Sequence, residues 1–264
     1  MYNIPDIVNK IHCADCIEFM KQMPDNSIAL TVTSPPYNIG LDYDVSPDDL
    51  SMGEYREWLI DICREVLRVT AIGGRFCLNI GNRVNTLNGM GDSLDTLDLI
   101  VEIKKLGWTA REAITWVKTR APDNPQNFCG SDTAWGSWMS ASNPVCRSYS
   151  EYIFVFHKQN WKKEPVGVSD ITKKEFMDYT RNVWYFPAET QRMGHPAPFP
   201  KELPYRCIKL YSYVNDLIFD PFMGSGTTAL VSQETKRRFI GVENCQRYVD
   251  IGKQRLSQKL LNFQ

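Results

Sequence analysis

The stretch TSPPY at residues 33–37 places a hydroxyl, two prolines and an aromatic ring directly after the apolar run 27–32. A proline has no N–H to donate to a sheet ladder, and its ring fixes the backbone φ angle, so a strand that ends here leaves on a stiff turn. Such a turn would hold the Ser34 hydroxyl and the Tyr37 ring in fixed positions. The sequence therefore predicts hydrogen-bonding and stacking groups preplaced at the end of a core strand.

A second chemical signal is the glycine-rich turn Gly224-Ser225-Gly226, which follows the apolar strand LIFD and precedes a predicted helix. Glycines let a backbone approach a ligand closely, and a helix N-terminus favours an anion. The turn has no lysine before its Ser/Thr, as a Walker A loop would, and it lacks the full G-x-G-x-x-G of a dinucleotide site. For this turn taken alone, simple packing is the alternative.

Glu243 ends the strand that follows the glycine turn. An acid about 20 residues after such a turn can accept two hydrogen bonds from a ribose diol. The alternative is a surface glutamate whose charge is favourable near the N-terminus of the next helix. The preceding glycine turn favours the ribose interpretation.

The elements that must position these groups alternate along the chain between strands and helices. Apolar periodicity predicts helices at 16–23, 51–69, 92–106, 203–213, from about 225, and at 246–261, and strands at 7–15, 27–33, 75–80, 112–118, 151–158, 216–220 and 238–242. The alternation predicts an α/β fold with an open, mostly parallel sheet and helices on both faces. Ligands of such sheets lie at the carboxyl ends of the strands, so TSPPY and the glycine turn should share one edge.

The composition is that of a globular protein, with 264 residues, 43% hydrophobic, 23% charged and a net charge of −1. This charge does not point to a nucleic-acid partner, but a local basic face would be sufficient for one. No apolar run could span a membrane and residues 1–12 show no secretory signal, so the expected location is the cytoplasm. Cys13 and Cys16 form a CxxC without a second pair or suitably spaced histidines, so no metal site is expected.

The sequences TSPPY, DPFMGSGTT and GVE together resemble the S-adenosylmethionine-dependent DNA amino-methyltransferases. TSPPY comes first along the chain, the order of the permuted β-class, in which the target-recognition region lies between the two motifs. Further resemblance covers the family's N-terminal block, central strands and tenth motif, at residues 13–38, 73–81, 150–158 and 194–212.

The resemblance implies a Rossmann-like class I methyltransferase fold with circularly permuted motif order. It also implies S-adenosylmethionine as the cofactor and double-stranded DNA as the substrate, with a cognate restriction endonuclease and a second copy of the chain as candidate partners. It divides the chain into a catalytic half (1–158), a target-recognition insert (159–194) and a cofactor-binding half (195–264).

The resemblance gives TSPPY the task of holding an exocyclic amino nitrogen in line with the sulfonium methyl group. The Ser34 hydroxyl and the Pro35 carbonyl can accept hydrogen bonds from the two amino hydrogens, which orients the nitrogen lone pair. Pro35 and Pro36 stiffen the backbone so that these acceptors are preplaced. The Tyr37 ring offers a face to a base that has left the helical stack. No general base with a tuned pKa is needed, because the product ammonium is acidic enough to lose its proton to water or a neighbour.

The resemblance also implies cofactor contacts residue by residue. Asp15 would accept from the adenine amino group beside the Cys16 backbone, and helix N-capping is a compatible second interpretation of Asp15. The implied contacts are Asp15, Cys16, Phe199, Pro200, Asp220, Phe222, Gly224, Ser225, Gly226, Thr227, Thr228 and Glu243.

The identity of the target base rests on the first position of the SPPY motif. Within the family, serine at this position resembles the N4-cytosine enzymes, and aspartate is the usual mark of the N6-adenine enzymes. Neutral serine is a weaker acceptor than a carboxylate, which does not by itself choose cytosine. Cytosine N4 is therefore the first expectation and adenine N6 the alternative.

Two segments could contact DNA. Residues 159–194 carry candidate phosphate and base contacts at Lys162, Lys163, Lys173, Lys174, Arg181, Asn182, Gln191 and Arg192. The loop 119–150 carries Trp135 and Trp138, which would be stacking partners, wedges or plain anchors of the loop.

Two other classes of protein compete with a DNA methyltransferase. One is an inactive methyltransferase-like DNA-binding module, which the intact Ser34, Tyr37, Gly224, Gly226 and Glu243 argue against. The other is an RNA or protein amide methyltransferase, which commonly has asparagine before the prolines and the unpermuted order.

Overall fold

The computed structural model describes residues 1–44, 48–82, 95–120, 136–144, 146, 148–191 and 194–261. Its strands are β1 (Lys10–Cys13), β2 (Ile28–Thr33), β3 (Thr70–Gly81), β4 (Trp108–Lys118), β5 (Ser150–Lys158), β6 (Val183–Phe186), β7 (Leu217–Asp220) and β8 (Arg238–Glu243). Its helices are α1 (Ile4–Ile7), α2 (Cys16–Lys21), α3 (Met52–Val69), α4 (Asp95–Lys105), α5 (Lys173–Tyr179), α6 (Glu202–Tyr211), α7 (Thr227–Glu234) and α8 (Gln246–Leu261).

The strands form one eight-stranded sheet in the order β1-β8-β7-β2-β3-β5-β4-β6. Only β5 runs against its neighbours, and every other pairing is parallel. The prediction of a mostly parallel sheet is therefore confirmed. The carboxyl ends of β2, β7 and β8 meet at one edge, together with the end of β4 and the start of β5.

Helices cover both faces of the sheet, as predicted. On one face, α2, α3 and α4 bury apolar residues such as Phe19, Leu59 and Leu99. On the other, α6, α7 and α8 bury residues such as Cys207 and Val231. Apolar burial against both faces explains why the central strands read as continuous hydrophobic runs.

Helix α3 illustrates how local sequence fixes an element. The Ser51 hydroxyl accepts from the Glu54 backbone N–H, and the Glu54 carboxylate accepts from Ser51, which forms a capping box. Tyr55, Leu59 and Val66 then recur on the buried face at helical spacing. The predicted helix at 51–69 is confirmed.

Two of the predicted elements were wrong in their bounds. The strand predicted at 7–15 begins only at Lys10, because Pro5 favours the helical turn of α1 and Asn9 takes a left-handed φ of 59°. The segment 159–194, predicted to be irregular, contains α5 and β6. Its signals were short: the capping box Thr172–Glu175 and the alternating run VWYF, in which Trp184 and Phe186 are buried.

No helix among the described residues is long and apolar enough to cross a membrane. Within the same part of the chain, no group of three or more His, Cys, Asp or Glu side chains is arranged to hold a metal ion.

Candidate active site

A cavity of about 540 Å³ opens at the carboxyl edge of the sheet. This volume is within the range of roughly 300–1,000 Å³ that small-molecule sites occupy. The sequence-predicted residues that line it are Asp15, Cys16, Ser34, Pro35, Pro36, Tyr37, Phe199, Phe222 and Glu243. The structure therefore brings the SPPY turn and the acid at the end of β8 into one site.

Glu243 is held rigidly at the cavity wall. Its two carboxylate oxygens accept backbone hydrogen bonds from Gly224 N and Cys245 N, each at 2.9 Å. Burial raises the pKa of Glu243, and these backbone donors oppose the shift. Each oxygen has a second lone pair, so the carboxylate can still accept hydrogen bonds from two hydroxyls of a ligand.

The glycine turn needs its glycines for close packing. Gly224 and Gly226 have left-handed φ angles of 51° and 84°. A Cβ at Gly224 would lie 2.8 Å from His195 Nε2, and one at Gly226 would lie 3.0 Å from the backbone of Gly252. The packing interpretation of these glycines is thus confirmed, and it is compatible with a ligand that lies beside the turn.

Several predicted cofactor contacts are not among the residues that line the cavity. Arg255 of α8 donates to Ser225 Oγ at 3.0 Å and to Thr227 Oγ1 at 3.2 Å, which fixes the outer side of the glycine turn. The remaining members of this set are Pro200, Asp220, Gly224, Gly226 and Thr228. A direct cofactor contact by these residues stays a prediction.

Asp220 joins the two motifs from below the cavity. One of its oxygens accepts from Thr33 Oγ1 at 2.6 Å and from Phe222 N at 3.0 Å, and the other accepts from Thr228 Oγ1 at 2.6 Å. Burial raises the pKa of Asp220 to about 6, and these hydrogen bonds oppose the shift. The network fixes the end of β2, where TSPPY begins, to the start of the glycine turn.

Asp15 fulfils its second interpretation and also lines the cavity. Its carboxylate accepts from Glu18 N at 2.9 Å, which caps helix α2. Burial raises the pKa of the neighbouring Cys16 thiol to about 12, so this cysteine stays protonated. Cys16 therefore offers the cavity its backbone and an inert thiol.

The SPPY turn is braced from both sides. Tyr55 of α3 donates to the Pro36 carbonyl at 2.8 Å. The buried Asp48 carboxylate accepts from the backbone N–H groups of Asn38, Ile39 and Leu41 at 2.7 to 3.0 Å. These contacts hold the residues after the prolines in one conformation, which supports the predicted preplacement.

Sequence reasoning missed a polar group at the cavity wall formed by Asn79, Lys118 and Glu151. Glu151 accepts from Tyr37 OH at 3.0 Å and from Asn79 Nδ2 at 2.9 Å, and it forms an ion pair with Lys118. Their signal was their position, because Lys118 ends β4 and Glu151 lies at the start of β5, next to it. Charged residues at strand ends otherwise read as ordinary surface.

His195 was also missed as a cavity residue. Its ring lies 4.7 Å from the Tyr248 ring and 6.0 Å from the Tyr43 ring, centroid to centroid. Burial lowers the pKa of His195 to about 4, so the imidazole is neutral at physiological pH. It acts as a packing group over the glycine turn.

The structure does not bring the predicted DNA-binding lysines to the cavity. Lys163 forms an ion pair with Asp216, immediately before β7, and the Lys162 backbone packs on Gly73, near the start of β3. Both lie at the opposite edge of the sheet from the active site.

The other predicted DNA contacts are scattered. Lys173 and Lys174 begin α5, where Lys174 pairs with Asp178 at 2.9 Å, and Arg181 lies 3.6 Å from the same carboxylate. Asn182 directly precedes β6, Gln191 is exposed, and so is Trp138. Trp135 and Arg192 lie outside the described residues, and a DNA contact by any of this set stays a prediction.

Comparison with known proteins identifies the class of protein that this fold and site define. The sequence matches the DNA methylase family over residues 28–254, and the chain belongs to that family. The type II methyltransferase M.MjaVI of Methanocaldococcus jannaschii is 36% identical over 72% of this chain and 93% of its own. The type II methyltransferase M.BglII of Bacillus subtilis is 30% identical over 95% of this chain and 69% of its own.

A solved structure supports the same class. The DNA modification methylase TTHA0409 of Thermus thermophilus, in complex with S-adenosyl-L-methionine, superposes with a TM-score of 0.74 at 27% identity, over 94% of this chain and 93% of that one. The expected fold and cofactor are confirmed by these comparisons. The cavity fits the cofactor, because a fixed carboxylate, an aromatic ring and a capping aspartate line one wall.

Proposed function

We propose that this DNA methyltransferase transfers a methyl group from S-adenosylmethionine to the N4 amino group of a cytosine that has been flipped out of duplex DNA. The observation that carries the choice of base is Ser34, a neutral residue at the cavity wall in the first position of SPPY. Adenine N6 is the alternative target, and the transfer chemistry would be the same for either base.

Four side chains would hold the cofactor. Glu243 is placed to accept from the ribose hydroxyls, and Asp15 from the adenine amino group. Phe222, which packs 5.5 Å from the Trp58 ring, and Phe199 line the cavity with apolar surface. The bound cofactor supplies an electrophilic methyl group on a sulfonium centre.

The SPPY turn would act on the base. The Ser34 hydroxyl and the Pro35 carbonyl accept hydrogen bonds from the amino group and stabilise the positive charge that develops on nitrogen. The Tyr37 ring provides an aromatic surface beside the base, and stacking of this kind contributes on the order of 1–3 kcal/mol. The bracing by Asp48 and Tyr55 keeps these groups in place before substrate arrives, which favours the reaction through orientation.

DNA would approach the carboxyl edge of the sheet. Ala188 and Glu189, which follow β6 within the segment 159–194, line the cavity. The loop that follows β4 starts at Lys118, also in the cavity wall. We propose that these two connections, rather than the lysines near α5, contact the target sequence. A restriction endonuclease partner, a homodimer and a cytoplasmic location remain part of the proposal.

A radiolabel transfer assay tests the substrate class. Purified protein and methyl-labelled S-adenosylmethionine are incubated separately with duplex DNA, RNA and a mixed protein substrate. Label in DNA alone supports the proposal. Label in RNA or protein would move the activity to another class of amino group, and no label in any of them would favour an inactive DNA-binding module.

A further inference from the structure

Glu151 is an acidic side chain in the cavity wall for which the proposed chemistry has no use so far. Its side chain is 12% exposed, and its oxygens receive Tyr37 OH, Asn79 Nδ2 and the Lys118 ammonium. These partners come from the SPPY turn and from strands β3 and β4. A carboxylate placed here must therefore influence the SPPY turn directly.

The partners fix the direction of each hydrogen bond. A lysine ammonium only donates, so Glu151 accepts from Lys118. Asn79 Nδ2 also lies 3.1 Å from the backbone carbonyl of Tyr152, which only accepts, so this atom is the amide nitrogen and donates to both groups. Glu151 therefore accepts at both oxygens, as an ionised carboxylate does.

The direction then passes along the hydrogen-bond chain Ser34–Tyr37–Glu151. Burial and the charge of Glu151 raise the pKa of Tyr37, so the phenol keeps its single hydrogen. That hydrogen is donated to Glu151 at 3.0 Å. Tyr37 can then only accept from Ser34, whose hydroxyl oxygen lies 3.0 Å away, and the Ser34 hydrogen is turned toward Tyr37.

We infer that Glu151 is a positioning residue that makes Ser34 an obligate hydrogen-bond acceptor for the exocyclic amino group of the target base. This inference rests on the proposed function and deepens it. With its hydrogen committed to Tyr37, the Ser34 oxygen presents only lone pairs to the amino hydrogens. The carboxylate also polarises the chain, because hydrogen bonds in series strengthen one another. A neutral serine thereby gains acceptor strength from a negative charge two hydrogen bonds away.

The variant Glu151→Gln tests this inference with little change of shape. A glutamine amide offers one acceptor to three donors, so its NH₂ group can face Tyr37 and reverse the chain, which turns the Ser34 hydrogen toward the base. The expected result is a fall in kcat of roughly 10²-fold, the size found when one preorganised group at a reacting centre is lost. The Kd of S-adenosylmethionine, measured by calorimetry, should stay unchanged, because Glu243 is untouched.

Two further variants separate positioning from structural support. Tyr37→Phe removes the middle of the chain, so it should also lower kcat, and the double variant with Glu151→Gln should be no slower than the slower single variant. Glu175→Gln is the matched control, because Glu175 also accepts from a tyrosine (Tyr205 OH, 2.8 Å) and lies near a lysine (Lys209), but it does not line the cavity. Its kcat should equal that of the wild-type enzyme.

Each outcome decides the inference. Wild-type kcat in Glu151→Gln or in Tyr37→Phe would overturn it, as would multiplicative losses in the double variant. If Glu151→Gln does not fold, Tyr37→Phe alone carries the test, because it retains the ring and the carboxylate. If the wild-type protein transfers no methyl group to DNA, the proposed function fails and this inference falls with it.

Discussion

Thr33 and Asp220 connect the two chemical motifs of this enzyme by a buried hydrogen bond of 2.6 Å, although 187 positions separate them along the chain. Thr33 is the first residue of TSPPY, and Asp220 is the first of DPFMGSGTT. The bond crosses between neighbouring parallel strands β2 and β7. It makes the geometry of the base site depend on the strand that carries the glycine turn.

Replacement of Asp220 by asparagine should destabilise the fold. The amide would direct its NH₂ group at one of three donors, Thr33, Thr228 or Phe222 N, and an unsatisfied buried group costs about 1–3 kcal/mol. Urea unfolding measures the change. Thr33→Val, which removes one neutral donor and leaves the aspartate, is the comparison and should cost less than Asp220→Asn.

The same residue predicts a pH dependence. Its pKa is raised from 3.8 to about 6 in the folded state, so the folded protein binds a proton more tightly than the unfolded chain. The contribution of Asp220 to the free energy of unfolding should therefore be largest at low pH and decrease as the pH rises from about 4 to 6. The difference between wild type and Asp220→Asn, measured across this window, should change accordingly. A difference independent of pH would contradict the raised pKa.

Glu243→Gln should weaken the binding of S-adenosylmethionine. A hydrogen bond to a charged acceptor contributes about 1.5–3 kcal/mol, which corresponds to a Kd roughly 10- to 100-fold higher. Isothermal calorimetry checks the affinity, and thermal unfolding checks that the loop held by Gly224 and Cys245 survives. Glu175→Gln serves as control, and an unaltered Kd in Glu243→Gln would remove the ribose contact from the account.

Ser34→Ala and Tyr37→Ala should reduce methyl transfer strongly while the affinity for the cofactor survives. The first removes an acceptor for the amino group and the second removes the aromatic face. Transfer to DNA and cofactor affinity are measured on the same preparations. Full activity in Ser34→Ala would exclude the hydroxyl from the chemistry.

Gly224→Ala and Gly53→Ala should have opposite effects. A methyl group at Gly224 meets the His195 ring at 2.8 Å and forces a side chain into a left-handed backbone, so both stability and cofactor affinity should fall. Gly53 lies in the first turn of α3 with nothing within 4 Å, so alanine there should stabilise by up to about 1 kcal/mol. Equal effects of the two changes would show that the turn is not constrained as described.

The sequence allowed prediction of those parts of the site that are written locally. TSPPY, the glycine turn and Glu243 are each followed or preceded by their own strand, so both the residue and its edge of the sheet could be predicted. Asn79, Lys118 and Glu151 are brought together by the pairing of β3, β5 and β4, which no local pattern states. The lysines at 162 and 163 show the same limit, because a basic cluster does not reveal which edge of the sheet it will occupy. Strand β6 was missed because four residues give too short a pattern.

The most direct test of the central claim is nucleoside mass spectrometry of plasmid DNA from a methylation-free host that expresses this protein. The account predicts N4-methylcytosine, absent from the same host expressing Ser34→Ala. N6-methyladenine in its place would retain the fold and the cofactor site but would contradict the assignment of Ser34 to cytosine. The absence of any modified base would contradict the proposed activity itself.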